Sequence, residues 1–284
     1  MKRVLVTGGS SPLGDVLVPR LLQEYEVIAT ARSSSAARRV EAHGAEPVLF
    51  DLTSGRSFPR VTVDAVVHAA GINLAGEVAR AVGPISPQQI IGISSASATV
   101  DGHPRRSTVL TAEAALQACA PQTTILRPTM IYGSWRDRNI RRLWQRLRRL
   151  PVIPRVSGGG LLQPVLADDV AAAVMDVLRT PRPAVLPVGG PEPVRFDDLL
   201  HALASAMGRP RPTAALPLGI FTSAAHRRPL SMGPPAFVHA LQMLLVDRVV
   251  PSPGAVGLAH RGTPLDAGMR IAIERYAHPQ QIEA

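Results

Sequence analysis

Lysine is almost missing from this chain of 284 residues, where Lys2 is the only one. Cysteine is as scarce, with Cys119 alone, and aromatic residues make up only 4%. One cysteine cannot form an internal disulfide, which excludes a disulfide-stapled scaffold and leads us to expect a reducing, cytoplasmic setting. Charged residues are 18% of the chain against 46% hydrophobic ones, a balance too apolar for a disordered protein. Yet no apolar run approaches the roughly 18 residues of a membrane-spanning helix. Only Val4–Val6 separate Met1-Lys2-Arg3 from Thr7-Gly8-Gly9. A secretory core needs about 7–15 apolar residues, so no export signal is expected.

What is present begins with arginine. Lys+Arg number 31 against 21 Asp+Glu, a net charge of +10 that is nearly all guanidinium. Such a balance points to an anionic partner, whether a phosphorylated cofactor, a nucleic acid or an acidic membrane surface. A genome rich in arginine codons gives the same composition without any partner. Nucleic-acid binding has no motif behind it beyond charge, and none is expected.

The first third alternates short apolar runs with helix-length stretches. Arg3–Val6, Glu26–Ala31, Glu46–Phe50, Ala65–Ala69, Ile90–Ile93 and Thr124–Leu126 read as strands buried on both faces of a parallel sheet. Leu13–Gln23, Ser34–Ala42 and Thr111–Ala118 read as the helices between them. This alternation predicts right-handed βαβ units and a doubly wound α/β fold. Further on, Asp168–Leu178, Phe196–Met207 and Leu265–Tyr276 read as helices, while Pro210–Pro235 reads as loop or flap. The expected division is a dinucleotide-binding core over 1–133. Residues 134–284 then contribute to that core and form a smaller C-terminal substrate lobe.

The sharpest local signal is Val4-Leu5-Val6-Thr7-Gly8-Gly9-Ser10-Ser11-Pro12-Leu13-Gly14. A strand runs into a glycine turn from which a helix opens, the arrangement that brings backbone N–H groups to a pyrophosphate. Here the sequence resembles the extended and atypical short-chain dehydrogenase/reductases of the epimerase/dehydratase-like branch, which carry TGxxGxxG at this place. Gly8 and Gly14 match the outer glycines, with Ser11 at the middle one. His68-Ala69-Ala70-Gly71 resembles that family's HxAAG turn. Thr124–Gly133 resembles its TILRPxxxYG stretch, Leu166–Ala171 its HVDDLA block, and Val188–Pro193 its NxGGxEP segment. The resemblance implies a Rossmann-type sheet and cofactor contacts from Gly8, Ser11, Leu13, Gly14, Asp51, Leu52, Ala69, Ala70 and Gly71. Ser94, Pro128 and Met130 join them less centrally. Arg32 ends the second strand, where NAD-preferring members carry an acid. An arginine there suits a 2′-phosphate, so NADP(H) is expected, with NAD(H) left open. His68 is read as structural, and no metal site is expected.

The same resemblance exposes a gap. Ordinary members use Tyr-x-x-x-Lys, whose tyrosinate exchanges the proton. Thr111-Ala112-Glu113 fixes the register and puts Arg105 at the tyrosine position and Val109 at the lysine position. Tyr25, Tyr132 and Tyr276 are the only tyrosines, and none of them can complete the pair. The candidate catalytic groups are therefore Ser95, Ser97 and Tyr132, none with an evident base. Two functions stand side by side. One is an oxidoreductase or epimerase acting on a hydroxyl or carbonyl, such as that of a nucleotide-linked sugar. The other is a non-catalytic redox sensor or an assembly or regulatory subunit.

One segment falls outside this scheme. Trp135–Leu150 reads as a helix with Ile140, Leu143, Trp144, Leu147 and Leu150 on one stripe. Arg138, Arg141, Arg142, Arg146, Arg148 and Arg149 fill much of the rest. It reads as an ordinary packed helix with a solvated charged face, or as a contact to an anionic membrane surface or acidic protein. The oligomeric state is left open.

Overall fold

The computed structural model describes residues 1–59, 61–101, 103–155, 160–208, 212–215, 249–251 and 253–278. Seven parallel strands form its main sheet. In chain order they are β1 (Arg3–Thr7), β2 (Glu26–Ala31), β3 (Glu46–Leu49), β4 (Ala65–His68), β5 (Gln89–Ile93), β6 (Gln122–Pro128) and β10 (Ala184–Val188). They lie side by side as β10-β6-β5-β4-β1-β2-β3. The order reverses between β1 and β4, which opens a crevice beyond their carboxyl ends. Register is regular across it, with Val4 opposite Ala65 and Thr7 opposite His68.

Alternation along each strand feeds two apolar layers. Val4 and Val6 of β1 face the layer of α1 (Gly14–Leu21) and α6 (Ala167–Arg179), while Leu5 faces that of α3 (Ala75–Val82) and α4 (Arg106–Gln117). Fully buried Leu5, Leu17, Leu21, Ile90, Ile91, Leu116 and Ile125 form the centre. Each such side chain contributes roughly 1.5–3 kcal/mol on transfer from water. α2 (Ser34–Ala42) completes the first layer, capped by the Ser33 hydroxyl on the Ala36 N–H.

A third cluster forms the lobe. Ile140, Trp144 and Leu147 of α5 (Ile140–Leu147) pack with Leu199, Leu200 and Leu203 of α7 (Phe196–Ala206). Met269, Ala272 and Tyr276 of α8 (Leu265–Ala277) close the group. Two short parallel pairs attach it: β7 (Ile131–Tyr132) with β9 (Val165–Leu166), and β8 (Ile153–Arg155) with β11 (Thr213–Ala215). Of the expected loop over 210–235, only 212–215 are described, and they contain β11.

Three elements differ from the reading of the sequence. A helix, α3, stands between His68 and Ile90, where that reading placed no element. A seventh strand, β10, was not anticipated. The arginine helix covers only Ile140–Leu147, because residues 133–139 wrap around the Asp137 carboxylate. That carboxylate accepts the N–H groups of Gly133 (3.1 Å), Asn139 (3.0 Å) and Arg141 (3.1 Å).

Candidate functional site

The glycine turn follows β1 directly. Gly8 has φ +81°, a left-handed backbone that glycine adopts without strain, and a Cβ there would lie 2.6 Å from the Ala70 backbone. A Cβ on Gly14 would overlap the Gly9 carbonyl oxygen. Both positions need glycine to bring the turns after β1 and β4 together and to seat the first turn of α1 on the loop. The Gly8 N–H donates to Thr30 Oγ1 at 3.2 Å. The Ser11 N–H donates to the Gly8 carbonyl at 2.9 Å, while Ser11 Oγ accepts the Gly14 N–H at 3.0 Å. The serine at the middle glycine position thus ties the loop to the helix and keeps its hydroxyl proton for a further acceptor. Pro12 has no N–H to offer. The Leu13 N–H, at the helix cap, has no acceptor among the described residues. A helix N-terminus, a pair of obligatory glycines and a spare amide donor together fit a pyrophosphate.

The turn after β4 is held from below by His68. Its ring is fully buried, with Nδ1 2.7 Å from Thr7 Oγ1 and Nε2 2.9 Å from the Gly71 carbonyl. The neutral tautomer satisfies both, accepting from the threonine hydroxyl and donating to the carbonyl. Burial lowers its pKa to about 4, partly opposed by the Gly71 hydrogen bond. The ring is a strut for Ala69-Ala70-Gly71, in line with its structural reading. The unfolded chain takes up this proton first, near pH 6.5, so the stability His68 supplies is full above 6.5. It is lost as pH falls towards 4. The expected loss is about 3 kcal/mol across that window. His68→Gln should flatten the difference in urea midpoint between pH 7 and pH 4.5. An unchanged slope would show that another group carries the effect.

Arg32 is exposed just past β2, and its charge is one cause of the lowered Asp51 pKa, behind the N–H and hydroxyl of Thr53. Asp51 Oδ1 accepts both, at 2.9 and 2.8 Å. Leu52 is buried beneath it in the layer of α3 and α4.

Past β5, the Ser94 hydroxyl donates to Glu113, which is 2% exposed. Arg127 donates to both Glu113 oxygens, from Nε at 2.9 Å and Nη2 at 2.5 Å. This buried triad fixes the loop carrying Ser95 and Ser97. Ser95 Oγ accepts the Ser97 N–H at 3.2 Å, and both serines are half-buried. Pro128 is buried at the end of β6, and Met130 packs against the lobe. Tyr132 stands apart. It is 1% exposed in the lobe core, its hydroxyl against Gly268, and burial there raises its pKa. At the dyad positions, Val109 is buried in the layer of α3 and α4, while Arg105 is exposed ahead of α4.

Sequence reading missed one more contact. Arg136 reaches from the loop before α5 to Asp15 on α1, with Nε to Oδ2 at 2.8 Å and Nη2 to Oδ1 at 2.7 Å. Its Nη2 also donates to the Ser10 carbonyl at 2.5 Å. Nothing local in the sequence signals a pair so far apart. The arginines of α5 and its C-terminal end border a different feature, a cleft of about 1020 Å³ with Trp144, Met207 and Ile273. Arg148 lies over the Trp144 ring at 4.7 Å.

A doubly wound parallel sheet with a glycine turn at its switch point is the Rossmann dinucleotide-binding architecture. Residues 4–82, covering β1 to α3, match the model of the NAD dependent epimerase/dehydratase family. The whole chain shares its fold with UDP-glucose 4-epimerase of Thermotoga maritima, solved with UDP-glucose. The TM-score is 0.72 and identity 16%, over 98% of this chain and 99% of that one. It is also similar to UDP-glucose-4-epimerase from Stenotrophomonas maltophila with bound NAD and formylated UDP-arabinopyranose. There the TM-score is 0.69 and identity 18%, over 99% and 100%. A functionally unknown conserved protein from Silicibacter pomeroyi gives 0.72 and 19%, over 98% and 99%. At these identities the likeness is one of fold. No curated protein matches the chain. Among the described residues no helix is long and apolar enough to cross a membrane.

Proposed function

We propose that the chain binds NADP(H) in the crevice at the ends of β1, β2 and β4 and uses it on a hydroxyl or carbonyl carbon. A nucleotide-linked sugar is the substrate class we favour, since the similar epimerases carry such ligands. The observation that carries the reading is the glycine turn, where Gly8 and Gly14 leave no room for a Cβ and the Leu13 N–H has no acceptor among the described residues. Arg32 supplies the preference for a 2′-phosphate, a charge-assisted contact that an acid would reverse. A bound nicotinamide supplies the hydride chemistry, and the protein supplies position and electrostatics. With no Tyr/Lys pair, the Ser95 and Ser97 hydroxyls are the groups left to hydrogen-bond a substrate oxygen. Ser95 Oγ accepts a backbone N–H and keeps its own proton for donation.

A second reading has its own support. Buried Val109 and exposed Arg105 replace the proton-handling pair with side chains that cannot do its work. A dinucleotide-binding sensor or assembly subunit needs no such pair. Calorimetric titration with NADPH, NADP⁺, NADH and NAD⁺ separates the possibilities when followed by a carbonyl-substrate screen read by nicotinamide absorbance. Tight NADP(H) binding with consumption of the reduced form is the expected result. Binding without turnover over a broad panel supports the second reading. Failure to bind any of the four removes both.

A further inference from the structure

Asp15 is the second residue of α1, in the turn immediately behind the glycine loop. A carboxylate in a first helical turn suits an empty helix, whose N-terminus is electropositive. It works against the same terminus as a phosphate site, because like charges repel strongly where water is scarce. The Asp15 side chain is 1% exposed, so little water screens it.

His43 Nε2, at the end of α2, lies 3.6 Å from Oδ1 and makes no hydrogen bond to it. Arg136 grips both oxygens in the forked geometry that makes guanidinium–carboxylate pairs strong, and it holds the Ser10 carbonyl with the same Nη2. The loop that delivers Arg136 is itself rigidly held. Asp137 gathers three of its N–H groups and the Tyr276 hydroxyl, and Arg275 donates to the Gly133 carbonyl at 2.9 Å. A side chain from the second half of the chain is thereby fixed on the loop of the first.

We propose that Arg136 is a positioning residue for the cofactor: it cancels the Asp15 charge, so that the glycine loop accepts two phosphates. This inference rests on the dinucleotide reading above. The test is a double-mutant cycle, with NADPH affinity measured by calorimetry and folding by thermal melts. Arg136→Gln leaves the carboxylate bare and should weaken NADPH about tenfold or more. Asp15→Asn combined with Arg136→Gln removes both charges and should return affinity to within about threefold of the natural protein. Because Arg136→Gln alone strands a buried charge and can fail to fold, the double variant decides. If it folds and binds as weakly as Arg136→Gln, or more than about tenfold below the natural protein, Arg136 does more than cancel Asp15 and the proposal falls. A folded Arg136→Gln that binds like the natural protein also overturns it. A natural protein that binds none of the nucleotides fails the dinucleotide reading first and takes this inference with it.

Discussion

Arg127→Leu is expected to cost about 3–5 kcal/mol of stability, the largest single loss foreseen outside the apolar core. The reason is the company that Arg127 keeps. Its guanidinium is the partner of a carboxylate 3% exposed, and among the described residues the only other group donating to that carboxylate is the Ser94 hydroxyl. Without Arg127, Glu113 is left charged between α4 and the ends of β5 and β6. Desolvation of that lone charge is no longer offset. Removing both partners is a different matter. Arg127→Leu with Glu113→Leu takes away the charge together with its counterion, and replacement of a buried pair by apolar groups is often near neutral. The double variant should recover most of the loss in urea midpoint. Equal losses in the single and double variants would show that packing, not the stranded charge, sets the cost.

Arg32→Glu should divide the two nicotinamide cofactors. NADPH affinity is expected to fall about 100-fold, the scale of a lost charge-assisted phosphate contact plus a new repulsion. NADH has no 2′-phosphate to repel and should change less than about threefold, or gain from a carboxylate that accepts its ribose hydroxyls. The side chain is exposed and makes no ion pair among the described residues, so the fold is not at stake. Parallel titrations of the two cofactors read the effect. Equal affinities before and after for NADPH would assign Arg32 to the solvated surface.

The sheet was legible because its strands are short, almost wholly apolar and each followed by polar punctuation. Glu26–Ala31 and Ser34–Ala42 fall as read. β10 escaped notice because it holds Pro187 between Pro183 and Pro191. Proline is tolerated there because β10 is an edge strand, with β6 its one neighbour among the described residues. α3 spans only eight residues and includes Gly76, too short for a helical period to stand out. In the site, the glycine turn and the strand ends could be read locally, since each is a contiguous motif. The Asp15–Arg136 pair joins residues 121 positions apart, and the Ser94–Glu113–Arg127 triad joins two strand ends to a helix. Neither leaves a periodic trace. Glu113 served in the sequence only as a register mark, although it is the hub of the loop that carries Ser95 and Ser97. Tyr132 looked available by its residue type, and only packing shows it enclosed.

The loop around Asp137 carries a consequence for synthesis. A ribosome finishes the glycine turn by residue 14, and the strands flanking it soon after. The arginine that braces this turn sits in a loop whose partners include Arg275 and Tyr276 of α8. A nascent chain therefore has the strands around the glycine turn early but lacks the finished brace until residues 275 and 276 have been added. On the dinucleotide proposal, a cofactor that docks before that point meets an unbraced Asp15.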